Sequence, residues 1–391
     1  MGQWHSTTKQ GQFLNRVIAR ATSMVGQWCQ KQLNFKSKRS GFKSFVSLFL
    51  VGISLSVAIA SCGGGSNAPS GSTPGANSGT QGDVKVTLVS YAVTRAAYEK
   101  IIPQFTAKWK QEHNQNVTFT QSYGGSGSQS RAVIDGLEAD IVALALELDI
   151  QKIEQAGLIQ PGWQSEAPNN SIVTRSVAAL VTREGNPQGI KGWEELAKPG
   201  VQVITANPKT SGGARWNFLG LWGSVTQTGG DQAKALDYTT KVFKNVPVLP
   251  RDAREASDVF FKQGQGNVLI NYENEVILAA LNGQKLPYVI PQVNISIDAP
   301  VTVVDKNVDK HGTREVSEAF VKFLFTPEAQ REFAKVGFRS VDPTVEKEFA
   351  KEYVPIKKLF TAKDFGGWSD IQKNFFADGA IFDQILAKSG K

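Results

Sequence analysis

Three short stretches carry residues able to hold a charged guest without any charged side chain. In Asn207-Pro208-Lys209-Thr210-Ser211-Gly212-Gly213-Ala214-Arg215-Trp216, an apolar strand at 201–205 runs through a turn into Ser211, a residue type favoured at helix N-caps. Ala214, Phe218, Leu221, Trp222 and Val225 then recur at helical spacing and make one apolar face. Gly212 and Gly213 therefore fall in a helix's first turn, where glycine weakens the helix unless something must approach the backbone closely. The first N–H groups of a helix have no internal partner and carry the positive end of its dipole, so Ser211, Gly212 and Gly213 form an anion cradle. Gly124-Gly125-Ser126-Gly127-Ser128, after a strand at 117–122, repeats the arrangement. So does Arg251-Asp252-Ala253-Arg254, between a strand expected at 246–249 and a helix at 254–263.

The charged residues beside these loops, Arg131, Arg215 and Arg254, each sit just inside a helix start where any could point at the anion; the favoured reading is that they pair with local acids such as Glu255 or Asp258, or face solvent. Buried charge needs partnered geometry. Trp193 and Trp216 are candidates to line a cleft, and Trp222 to fill the core.

Rival chemistries find little support. Gly124–Ser128 lacks the Gly-Lys-Ser/Thr of a phosphate loop and the third glycine of a dinucleotide fingerprint, and misses the Gly-x-Ser-x-Gly nucleophile elbow by one residue. Beyond the first 61 residues only His113 and His311 remain, neither at metal-ligand spacing, and Cys62 is the only cysteine. No catalytic residue, metal or cofactor is expected.

The elements that must position the loops alternate along 391 residues. Strand, helix, strand, helix, strand from 84 to 146 reads as a doubly wound α/β lobe. A second alternation over 201–272 reads as another, and an extended passage at 286–305 as the return connection. The expected division is 84–180 with 296–345 as lobe 1, 181–295 as lobe 2 and 346–391 as a C-terminal helical tail, with hinges at 178–181 and 295–301. Ligands in such sheets sit at the carboxyl ends of strands, where all three loops lie.

The formal charge of +8 is misleading as a guide to partners. Eight of the 43 basic residues lie in 1–61, which has no acid, leaving 35 to set against 35 acidic residues. The remainder is neutral, with no electrostatic footprint for nucleic acid. Residues 1–61 have the layout of a signal peptide: a basic region, an apolar run at 45–60 too short to span a membrane comfortably, then small residues. Met24 is an alternative start to Met1. Residues 62–82 form a Gly/Ser/Asn/Thr/Pro tether.

With these residues in view, the chain resembles the periplasmic sulfate- and thiosulfate-binding proteins that feed ABC importers. The likeness runs through Ser90-Tyr91, Thr94-Arg95, Gln121 to Gly127, Asn207 to Trp216, Asp252-Ala253-Arg254, Val268-Leu269-Ile270, Glu273-Asn274-Glu275, Val304-Asp305-Lys306 and Phe365-Gly366-Gly367-Trp368. Ile59-Ala60-Ser61-Cys62 likewise resembles a lipobox, implying a lipoprotein acylated at Cys62. The resemblance implies a type II periplasmic-binding-protein fold, two lobes joined by a hinge, and a monomer delivering its anion to ABC permease subunits. It implies Ser126, Ser211, Gly212, Gly213 and Ala253 as donors, with Ser211 also offering its hydroxyl. Ala92 stands where members often carry Asp, and Tyr272 where sulfate binders place a Trp indole. The alternatives are a binder of phosphate or molybdate, a receptor-docking sensor, and a secreted ester hydrolase with Ser126 or Ser211 as nucleophile.

Overall fold

The computed structural model describes residues 82–390; the signal, Cys62 and the tether as far as Gln81 lie outside the described residues. β1 (Val84–Tyr91) leads into α1 (Arg95–His113), whose Tyr98, Ile101, Ile102, Phe105 and Trp109 form one buried stripe. β2 (Val117–Gly124), α2 (Ser126–Ile134), β3 (Ile141–Ala143), α3 (Glu147–Gln155) and β4 (Ile172–Ser176) follow. Next come β5 (Ala178–Thr182), β6 (Val203–Ile204), α4 (Gly212–Thr226), α5 (Gln232–Lys244), α6 (Ala253–Phe261), β7 (Val268–Tyr272) and α7 (Glu273–Leu281). The return passage contains β8 (Tyr288–Val289), β9 (Val293–Ile295) and β10 (Ile297–Val303), and then α8 (Asp305–His311), α9 (Arg314–Phe323), α10 (Pro327–Lys335) and α11 (Pro343–Phe349). The tail adds β11 (Lys358–Phe360), α12 (Trp368–Ile371) and α13 (Ile381–Lys388).

Each lobe is built on one sheet, in the order β2-β1-β3-β10-β4 in the first and β6-β7-β5-β8 in the second. The strands that enter from βα units are parallel, β1 to β2 and β3, and β6 to β7. The strands that arrive from the other lobe run antiparallel: β10 against β3 and β4, β5 against β7. The sheets are thus mixed, because a chain that crosses between lobes enters the second sheet against its direction. The crossings are at Val177, between β4 and β5, and at Ser296, between β9 and β10.

The strand expected at 246–249 does not form. Pro247 and Pro250 interrupt the run, and proline cannot donate to a ladder. Pro250 serves instead as acceptor for the Asn207 N–H, at 2.7 Å. The tail is more than a pair of helices: β11 pairs in parallel with β9, and Phe375, Phe376 and Phe382 close around Phe218 of α4. Among the described residues no helix is long and apolar enough to cross a membrane.

Candidate functional site

Three helix starts meet at one place. α2 begins at Ser126 with Gly125 as N-cap, α4 at Gly212 with Ser211 as N-cap, and α6 at Ala253 with Asp252 as N-cap. They enclose a cavity of about 10 Å³ that Tyr272 and Ala145 also line. The six residues singled out from the sequence, Ser126, Ser211, Gly212, Gly213, Ala253 and Tyr272, all lie on its wall. A fourth start is not counted among the three loops, although the resemblance singles out Ala92: Ala92 and Val93 also line the cavity, in a 3-10 turn that runs directly into α1. The strand-to-helix junction Tyr91-Ala92-Val93 was the available signal. No lysine or arginine lines the cavity.

The lobes are shut on one another. A methyl group on Gly212, in the second lobe, would lie 2.7 Å from Ala145 Cβ and 3.0 Å from Ser126 Cβ, both in the first. One on Gly125 would lie 2.6 Å from Thr210 O and 3.2 Å from Arg251 O across the same seam. Glycine is needed here for close approach, not for an unusual φ.

The hydrogens free to face a guest can be counted from bonds already made. Ser211 does not contribute its amide as expected, since that N–H donates to Asn207 O at 2.8 Å. Its hydroxyl oxygen accepts from Ala214 N at 3.3 Å, which leaves the hydroxyl proton uncommitted. Ser126 is the reverse: its hydroxyl donates to Asp149 Oδ2 at 2.7 Å and accepts from Ala145 N at 3.0 Å, which leaves its backbone N–H, at the first helical position, without a partner in the helix. Gly212, Gly213 and Ala253 sit at first-turn positions whose amides have no partner within their helices. Tyr272 is 2% exposed, and its phenol oxygen is buried with no hydrogen-bond partner. Burial, with Tyr91 alongside, pushes that phenol well above its ordinary pKa, so it remains an O–H donor.

Charge is kept one layer back. Arg215 is 4% exposed and reaches Asp149 Oδ1 at 3.1 Å and Pro208 O, through Nε, at 2.9 Å. Its partner is therefore an acid on the opposite lobe, not Glu255 or Asp258. Arg254 pairs with Glu275 at 2.7 Å, and Arg131 reaches only Lys209 O and Ser128 Oγ. Asp252 does border the cavity, but its Oδ1 caps α6 by accepting from Glu255 N at 2.9 Å, and Arg251 Nε stands 3.6 Å from its Oδ2. Trp216 Nε1 crosses the seam to Ala145 O at 2.8 Å. Trp222 packs in the core against Phe218 and Phe375, while Trp193, 5% exposed, donates to Val293 O.

A closed pocket between two α/β lobes, lined by helix starts, suits a small solute. Residues 86–339 match the family of bacterial extracellular solute-binding proteins. The chain belongs to that family. A sulfate-binding protein of Synechococcus elongatus is 60% identical over 344 residues, covering 88% of this chain and 96% of that one. A thiosulfate-binding protein of Pseudomonas aeruginosa is 39% identical over 302 residues, covering 76% and 91%. Among solved structures, the sulfate-binding protein SubI from Mycobacterium tuberculosis H37Rv superposes with a TM-score of 0.70 at 36% identity, covering 75% of this chain and 100% of that one.

In this solute-binding protein sequence reasoning also missed a residue that acts through others. Asp149 is fully buried and holds Ser126 from behind while meeting Arg215. Nothing in its neighbourhood, Leu148-Asp149-Ile150, marks it as more than one acid in a helix's first turn.

Proposed function

We propose that this protein captures sulfate or thiosulfate outside the cytoplasm by closing its two lobes, and delivers the anion to an ABC permease. The observation that carries the reading is the buried, unpartnered Tyr272 hydroxyl beside the uncommitted Ser211 hydroxyl and the first-turn amides of Gly212, Gly213, Ala253 and Ser126, with no cationic side chain in the lining. Sulfate is fully deprotonated at neutral pH, so each oxygen accepts and none donates. A wall of N–H and O–H groups satisfies such a guest. Hydrogen phosphate brings a proton for which this wall has few acceptors: the Ser126 and Ser211 oxygens and Asp252 Oδ1 already accept from backbone amides. What remains is the Tyr272 phenol oxygen, whose hydroxyl is needed as a donor, and Asp252 Oδ2, which Arg251 Nε faces at 3.6 Å. One unmet bond of that kind costs about 1–3 kcal/mol. Each helix start contributes roughly 0.3–1 kcal/mol of attraction when exposed and up to about 2 when partly buried. Several together offset dehydration without an ion pair, so nothing strong must be broken on release.

The lobes turn about the crossings at Val177 and Ser296, so the boundary expected at 180 moves to Val177, because all of β5 pairs in the second sheet. The start of the tail stays on the first lobe through Arg331 with Glu348 and Tyr353 with Phe338, and from β11 onward it joins the second through β9 and Phe218. The fold serves binding and release, with no catalytic step. Supported by Ile59-Ala60-Ser61-Cys62, the mature monomer is held at the periplasmic face of a membrane by an acylated Cys62. Isothermal titration of the purified protein tests the central claim. Saturable heat with sulfate is expected, and none with sulfate against clear binding of phosphate or a sugar would end it.

A further inference from the structure

The anion loop is held by the far end of the chain. Lys209 stands two residues before Ser211, and its Nζ lies 2.8 Å from Asp383 Oδ1 and 3.0 Å from Oδ2. The same Nζ donates to Phe376 O at 3.3 Å. Asp383 is itself fixed, since its Oδ2 accepts from Gly379 N at 2.8 Å. The rest of the loop is tied down on other sides: Lys209 N donates to Asn207 Oδ1 at 2.9 Å, and Thr210 Oγ1 to Arg251 O at 2.6 Å. Nearby, the Arg215 guanidinium lies 5.5 Å over the Phe376 ring. Trp368 of the tail meets Trp216 edge-on at 4.7 Å, and α12, which begins at Trp368, also packs against α3 of the first lobe.

We infer that the tail is a brace for the anion site, with Asp383 and Lys209 as positioning residues that set the Ser211 hydroxyl and the Gly212 and Gly213 amides. Neither residue lines the cavity. Both side chains are about a third exposed, at 32% and 31%, and pairs of that kind contribute little to global stability. Their effect is on the loop: without the pair, Asn207 to Ser211 must be ordered by the guest. The inference rests on the sulfate reading.

The test is sulfate titration of the purified protein carrying Asp383→Asn, Lys209→Met or both. Asparagine keeps an acceptor for Gly379 N and removes the nearer of two charges facing Lys209, leaving the fully exposed Asp378 carboxylate 3.6 Å from Nζ. Each single variant should bind sulfate about tenfold more weakly, the size expected when a few loop dihedrals and one long side chain must be fixed on binding. The double variant should match the singles, as partners in one contact do. A field effect on the dianion gives the opposite sign for Asp383→Asn, because removing a negative charge tightens binding of an anion. A role in folding alone lowers the melting temperature and leaves Kd unchanged. If Asp383→Asn binds sulfate as tightly as the unmodified protein, or more tightly, the brace is refuted. If the unmodified protein gives no heat with sulfate, the sulfate reading falls and the brace with it.

Discussion

Replacing Gly212 by alanine separates closure from folding. The added Cβ would stand 2.7 Å from Ala145 Cβ, 2.9 Å from Leu146 Cδ2 and 3.0 Å from Ser126 Cβ, all on the first lobe, whereas Gly212 belongs to the second. Carbon atoms pack at about 3.5–4.0 Å, so the closed seam must open by roughly 0.5–1 Å or distort. Overpacking of this kind costs about 1–3 kcal/mol. Because the clash exists only when the lobes are shut, all of it falls on the ligand-bound state, which corresponds to sulfate binding weaker by about 5- to 150-fold. The ligand-free protein has the opposite tendency, since alanine is up to about 1 kcal/mol better than glycine in a helix and less so at its first position. Calorimetric titration and a melting curve without ligand therefore move apart: Kd rises while the melting temperature holds or increases. Gly213→Ala is the control, because its Cβ would lie 2.6 Å from Tyr272 Cε2 within the same lobe, a clash present whether the cleft is open or shut. That variant should lose melting temperature as well as affinity. A Gly212→Ala protein with Kd within twofold of the parent, or with a melting temperature lowered as far as that of Gly213→Ala, would refute the account of the closed seam.

Tyr272→Phe removes a buried hydroxyl that has no partner in the protein, so ligand-free stability should not fall; sulfate affinity should drop by roughly 5- to 150-fold if the hydroxyl donates to the anion, as titration would show. Competition of phosphate against sulfate at pH 7 should give a preference for sulfate of tenfold or more, and equal affinities would overturn the donor-wall argument. His311 bonds Asp140 Oδ1 at 2.8 Å and Glu138 Oε2 at 3.0 Å, and these acids raise its pKa. A folded pKa above the unfolded value means the extra stability is complete below about pH 6.5 and is lost as pH rises through the folded pKa. Melting temperatures from pH 6 to pH 9 should fall less steeply for His311→Gln than for the parent, and identical slopes would remove His311 from that role.

Two of the helix starts that line the cavity, at Gly125-Ser126 and Ser211-Gly212-Gly213, could be found in the linear chain because each is coded locally, whereas Ala253 and Tyr272 were pointed to by the resemblance and the strand expected before Ala253 is absent. A strand ending in Ser-Gly-Gly or Gly-Gly-Ser before an apolar helical repeat specifies a helix start, and a helix start leaves amides free wherever it lies. The neutral balance of 62–391 and the α/β alternation were legible for the same reason, since composition and periodicity need no knowledge of distant contacts. Other features depend on residues that meet only after the lobes pack. That Ser126 turns its hydroxyl to Asp149 while Ser211 keeps its own free follows from which acceptor the fold puts behind each. Arg215 found its acid 66 residues away on the other lobe, and Lys209 found Asp383 at a separation of 174. Such pairs depend on the angle at which two sheets close and on where a tail docks. Both are set by the fit of apolar surfaces such as Phe218 against Phe375, Phe376 and Phe382, which no local spacing encodes.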